Sequence, residues 1–222
     1  MKLRALCLGL VYIVIFGAAA WAEDWKVSRI DGQVSLFRQG SWTKLALGDV
    51  VPGDSQLRTF ADGSLTAIRG HESLKLAPKS QVQIQERNSP RATLIRQIAG
   101  GLSVESAGAE TPLTVQTQFM SALLKDGAMV SLVDPAATYL AMRRGSAEIT
   151  DIAHNKKSVL SEGKGAKINP VRGVVTAATN DPALVSVAAA MAALEGVAVE
   201  APAAKGFDAP PRGERKLSLI HI

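Results

Sequence analysis

The chain has 222 residues, 25 Lys and Arg against 20 Asp and Glu, and a single cysteine. One cysteine permits no internal disulfide and no Cys-based zinc cluster. The +5 formal charge is scattered singly apart from Arg143-Arg144 and Lys156-Lys157, with few aromatics among the cations, which argues against a nucleic-acid partner.

At the N-terminus, Lys2 and Arg4 precede an apolar run from Ala5 to Ala20 that ends in Ala20, Trp21 and Ala22. A basic start, an apolar stretch and small residues before the break are the features of a cleaved secretory signal, expected over residues 1–22. The run is shorter than the ~20 apolar residues of a spanning helix, so no transmembrane segment is expected after cleavage. Cleavage removes Cys7, Lys2 and Arg4, leaving +3 (5 minus 2) on an exported chain, periplasmic or secreted. Acidic envelope polymers could attract it mildly.

From Trp25 to about Val175 the dominant signal is alternation of apolar and polar residues in short stretches bounded by Gly, Pro, Asp or Asn. Examples are Val82-Gln83-Ile84-Gln85, Leu102-Ser103-Val104-Glu105 and Leu113-Thr114-Val115-Gln116. Period two means one buried and one solvated face, so an all-β fold is expected over 23–178: an antiparallel sandwich or coiled sheet. Residues 87–101, with a Pro, a polar cluster and a double glycine, read as a divider between two lobes at about 25–88 and 98–175. Each lobe carries a Thr two residues after an apolar one (Leu57 and Thr59, Val115 and Thr117) and then a glycine-bearing turn (Asp62-Gly63, Asp126-Gly127), a loose hint of duplication.

Asn180-Asp181-Pro182 opens an alanine-rich helix expected over 179–196, and 197–222 reads as a disordered tail rich in Ala, Pro and charge. The last six residues, 217–222, could form a strand or a recognition tail. They also match the translation of a transposon-end word resembling that of sequencing-library adapters, and are expected to be an artefact of that kind.

No zinc-protease helix, serine elbow or phosphate-cradling loop is present. The glycines of 162–167 read as a tight turn. His71 and His154 lie in turn-like contexts, and neither a catalytic residue, a metal site nor a cofactor is expected. The stretch 48–64 is the densest in carboxylates and glycines, with Asp49, Asp54 and Asp62 spaced along it. A calcium loop needs oxygen ligands at alternate positions through a dozen residues, whereas strand-like segments separate these aspartates, so turn residues are expected.

Val34, Gly40, Leu45, Gly48, Asp49, Gly53, Asp54, Leu57, Arg58, Thr59, Asp62, Gly63 and Ser64, followed by Leu74 to Ser80 and Val82 to Ile84, resemble the FecR family in order and spacing. A looser likeness continues from Leu113 to Ile168. The resemblance implies a non-enzymatic all-β domain, periplasmic or at the cell surface, used in signalling or assembly. Regulators of that family pair such a domain with an N-terminal cytoplasmic segment that controls a sigma factor, and this sequence leaves no room for one before its signal. The expectation is therefore an exported module that binds an envelope protein through a strand edge or the 88–101 loop. An alternative is a polysaccharide-binding module using an aromatic patch of Trp25, Phe37 and Trp42. A third reading, an envelope hydrolase, requires Asp49, Asp54, Asp62 and His71 to converge.

Overall fold

A computed structural model describes residues 24–88, 91–108 and 111–178. The expected signal, helix and tail lie outside the described residues. Every regular element among the described residues is a strand: β1 (Trp25–Asp31), β2 (Val34–Arg38), β3 (Ser41–Lys44), β4 (Val50–Val51), β5 (Gln56–Thr59), β6 (Ser64–Arg69), β7 (Glu72–Leu76), β8 (Gln81–Asn88), β9 (Arg91–Ser106), β10 (Leu113–Gln116), β11 (Met120–Val133), β12 (Thr138–Asp151), β13 (Lys156–Ser161), β14 (Lys164–Asn169) and β15 (Gly173–Ala178). The alternation that predicted strands is also the burial pattern: in β7 Leu74 and Leu76 are sealed while Ser73 and Lys75 are half-buried.

All fifteen strands join one open hydrogen-bonded sheet. Three long strands give it its shape, because each bends and its two halves pair with different neighbours. Residues 91–99 of β9 pair with β8 and, in the parallel sense, with β10, while 100–106 pair with β7 and β11. β11 likewise pairs first with β10 and then with β9, and β12 first with β14 and then with β13. Two layers result that share the long strands. The first runs β3-β2-β5-β8-β9-β10-β11-β12-β13, and the second β4-β1-β6-β7-β9-β11-β12-β14-β15. Apolar side chains of both layers, from Val34 and Leu57 to Leu65, Met129 and Ile168, meet in one continuous buried cluster.

Glycines set the bends. Gly100 has φ +79°, and a Cβ there would lie 2.5 Å from the Lys79 carbonyl oxygen. Gly127 and Gly145 face each other in register across β11 and β12, where a Cβ on either would meet the opposite backbone at 2.4–2.5 Å.

The 88–101 stretch, expected as a loop and divider, is therefore strand from residue 91 onward. Thr93, Ile95 and Gln97 point inward and Leu94, Arg96 and Ile98 outward, a period-two pattern that the flanking Pro and glycines obscured. It pairs on both sides at 93–96, between β8 and β10, and at 102–106, between β7 and β11, so most of the strand lies inside the sheet. The two Asp-Gly steps also differ: Asp62-Gly63 is a turn between β5 and β6, and Asp126-Gly127 is a bulge inside β11.

Candidate interaction surface

The first layer ends in the β2–β3 hairpin. Its two-residue turn, Gln39-Gly40, has φ of 51° and 84°, the doubly left-handed geometry whose twist matches that of paired strands. The turn sets Trp42 opposite Phe37, with ring centroids 5.2 Å apart and planes tilted by 47°. Strand β5 lies on the other side of β2, opposing Arg58 to Ser35. The Arg58 guanidinium then stands 4.4 Å from the Trp42 ring centre and 5.0 Å from that of Phe60. Among the described residues its Nε is buried without a hydrogen-bond partner and no carboxylate pairs with it. Trp42 remains 38% exposed, and all four residues of β3 face solvent.

Among the described residues strand β3 has only β2 as a partner, which leaves one side of it open. The Leu45 amide donates to the Val34 carbonyl, and antiparallel alternation then turns Thr43 toward β2 and the backbone groups of Trp42 and Lys44 outward. The open edge and the exposed indole therefore lie together.

Of the three aromatics expected to form a patch, Phe37 and Trp42 meet and Trp25 does not. Trp25 is sealed in the core, because in β1 it falls in phase with Val27 on the inward face. Above its ring, at 4.5 Å, lies the Arg69 guanidinium. Arg69 Nε donates to Glu72 Oε2 at 2.7 Å and one Nη to Thr93 Oγ1 at 2.8 Å, while the other Nη pairs with Glu86. One guanidinium thus ties β6 and β7 of the second layer to β8 and β9 of the first. Sequence reasoning missed this clamp. Its signal was present: Glu72 occupies an inward position beside Leu74 and Leu76, and Arg69 one beside Leu65 and Ala67.

The other residues singled out in the sequence build this end of the fold. Leu57 is fully buried. The Thr59 hydroxyl, also buried, donates to the Ala77 carbonyl at 2.6 Å and accepts from the Ser80 amide at 2.8 Å, fastening β5 to the β7–β8 turn. Asp49 closes the turn after Leu45, its Oδ2 accepting the Ala46 amide at 2.8 Å beside a left-handed Gly48. Asp54 takes a left-handed φ of 59° in the turn after Gly53. Asp62 is exposed, and Gly63 packs so closely on the Gln33 carbonyl that a Cβ would lie 2.1 Å from it. Ser64 Oγ donates to Asp31 at 3.3 Å. Asp49, Asp54 and Asp62 serve three separate turns, and His71 is exposed at the tip between β6 and β7. Among the described residues no three His, Cys, Asp or Glu side chains gather to hold a metal ion.

One Asp–His contact occurs elsewhere. Asp151, buried at the end of β12, accepts the Ala153 and His154 amides at 2.9 and 3.2 Å and meets His154 Nδ1 at 2.9 Å. Burial pushes the Asp151 carboxyl up, but the hydrogen bonds from His154 and Ala153 and the His154 charge outweigh it and hold the carboxyl below the ordinary aspartate value. Three groups, two backbone amides and the imidazole, act on one carboxylate to cap a turn, and no nucleophile hydrogen-bonds His154 among the described residues.

The outward face of the first layer completes the geometry. Register pairs carry one row across it, from Phe37 through Gln56, Gln83 and Arg96 to Gln116 and Ser121. A neighbouring row runs from Lys44 through Ser35 and Arg58 to Gln81.

No known family model matches the chain, and no curated protein matches it in sequence. Two crystal structures of a protein from Parabacteroides distasonis, described as a candidate anti-sigma factor, are similar to it with TM-scores of 0.49 and identities of 11% and 12%. Each match covers 55% of this chain and 59% of that one, so the chain spans well under two thirds of that protein's length. A likeness this shallow carries no argument about function.

Proposed function

We propose that this chain is a non-catalytic interaction module of the bacterial envelope, serving signalling or assembly, that takes a protein partner as an added strand on the free edge of β3. The observation that carries the reading is the coincidence of an unpaired strand edge with an anchored aromatic. Backbone groups of Trp42 and Lys44 face outward, and Trp42 is braced by Phe37 and Arg58 beside them. Edge addition draws its affinity from main-chain hydrogen bonds and its selectivity from flanking side chains. Brevity and lysine usually blunt exposed edges, and β3 is four residues long and ends in Lys44; what sets this edge apart is the exposed indole of Trp42 beside its outward backbone groups. The signal-like N-terminus and the family-like order of residues 34–84 support an exported FecR-like module.

A photocrosslinking residue at Thr43, in the full-length protein in its native envelope, should yield one discrete protein adduct. Lys44→Pro removes one outward amide while sparing the bonds to β2, and it should abolish that adduct. Adducts from β13 in place of β3, or an adduct indifferent to Lys44→Pro, would overturn the proposal.

A further inference from the structure

The first layer has a second unoccupied surface, its outward face from β3 to β10. Because opposed residues in register share a face, Lys44, Arg58, Arg87 and Arg96 all stand on it. Among the described residues no carboxylate shares it: the remaining outward positions on these strands hold Ser35, Phe37, Trp42, Ala92, Leu94 and Ile98 together with glutamines and a threonine. Arg58, Arg87 and Arg96 have no carboxylate partner among the described residues. The acidic residues of these strands are turned elsewhere, Glu86 inward to Arg69. Acid returns only further along the layer, where Glu148 pairs with Lys157.

Between the cations stand Gln56, Gln83, Gln85 and Gln116, each half-buried and on the outward side of its strand. Each amide can donate and accept, which suits the hydroxyl groups of a sugar. Six strands at about 4.8 Å spacing make the face roughly 24 Å wide along the row, an open track suited to a polymer. At one end the exposed Trp42 offers an aromatic face to a sugar ring.

We infer that this face binds an acidic polysaccharide, with the arginines pairing uronate carboxylates and the glutamines reading the hydroxyls between them. Guanidinium groups match carboxylates bidentately, and the two rings hold Arg58 in place with its outer N–H edge unspent. Single-stranded nucleic acid fits less well, since it calls for aromatic platforms along the track and these stand at one end only. An acidic peptide would satisfy the cations and leave the amide row unused. The inference goes beyond the β3-edge reading and does not depend on it.

The test is titration of the purified protein with alginate, with dextran, poly-glutamate and single-stranded DNA as comparators at matched salt. Alginate should bind, dextran should not, and poly-glutamate and DNA should bind at least about tenfold more weakly, a difference of about 1.4 kcal/mol. Arg96→Gln should weaken alginate binding about tenfold. Gln83→Ala should weaken alginate without changing poly-glutamate, and Lys26→Gln on the other layer should change nothing. Circular dichroism of each variant confirms its fold. No alginate binding, equal binding of alginate and poly-glutamate or DNA, or indifference to Arg96→Gln would overturn the inference. Arg96→Gln should leave the Thr43 adduct intact, so the two readings fail separately.

Discussion

Arg58 and Arg69 each place a guanidinium about 4.5 Å from a tryptophan ring, yet they do opposite work. Arg69 lies over the buried Trp25 with its N–H groups spent on Glu72, Glu86 and Thr93, and it joins the two layers. Arg58 lies over the exposed Trp42 and has no carboxylate partner among the described residues. The contact with the ring is the same, so the number of acidic partners and the depth of burial decide the role. A desolvated cation must be neutralised, whereas a surface cation without a partner is available to a ligand.

Breaking the clamp should have the largest effect. Arg69→Ala strands the buried Glu72 carboxylate, and chemical denaturation should show a loss of about 3–5 kcal/mol. A loss below 1 kcal/mol would make the two arginines energetically alike and end the distinction. Thr59→Val comes next: it keeps the shape and deletes the hydroxyl bonds to Ala77 and Ser80, at a cost of about 1–3 kcal/mol by the same measurement. Arg58→Ala should cost less than about 1 kcal/mol, since an exposed cation–π contact is weak, while alginate titration detects its loss.

The smallest effect is expected at the other end of the first layer, where acid titration sharpens the role of burial. The folded Asp151 carboxyl sits below its unfolded value of about 3.9, so its contribution is present above that pH and is lost as pH falls through the lower folded value. Asp151→Asn should therefore flatten the acid arm of the stability curve below about pH 4 relative to the unaltered protein. An unchanged acid arm would show that the His154 contact contributes nothing there.

Much of the surface was legible beforehand. Phe37 and Trp42 stood close enough in sequence to suggest a patch, and Asp49, Asp54 and Asp62 lie in separate turns of the fold. Trp25 was misplaced because proximity in sequence says nothing of phase: it falls on the inward side of β1. Residues 91–101 were misjudged because Pro and glycine usually punctuate, and here Gly100 bends a strand that continues to Ser106.

What the sequence determined by itself is local. Alternation at period two specifies which side of each strand is buried, and Gly, Asp and left-handed positions specify where the chain can turn, because both follow from the pleat and from steric limits within a few residues. What only the tertiary structure decided is who stands next to whom. The carboxylates that neutralise Arg69 come from β7 and β8, and the glutamines beside Arg96 come from β8 and β10. Those neighbours are chosen by strand register and by the folding of one sheet over a common core, where a shift of one residue would exchange the buried and open faces.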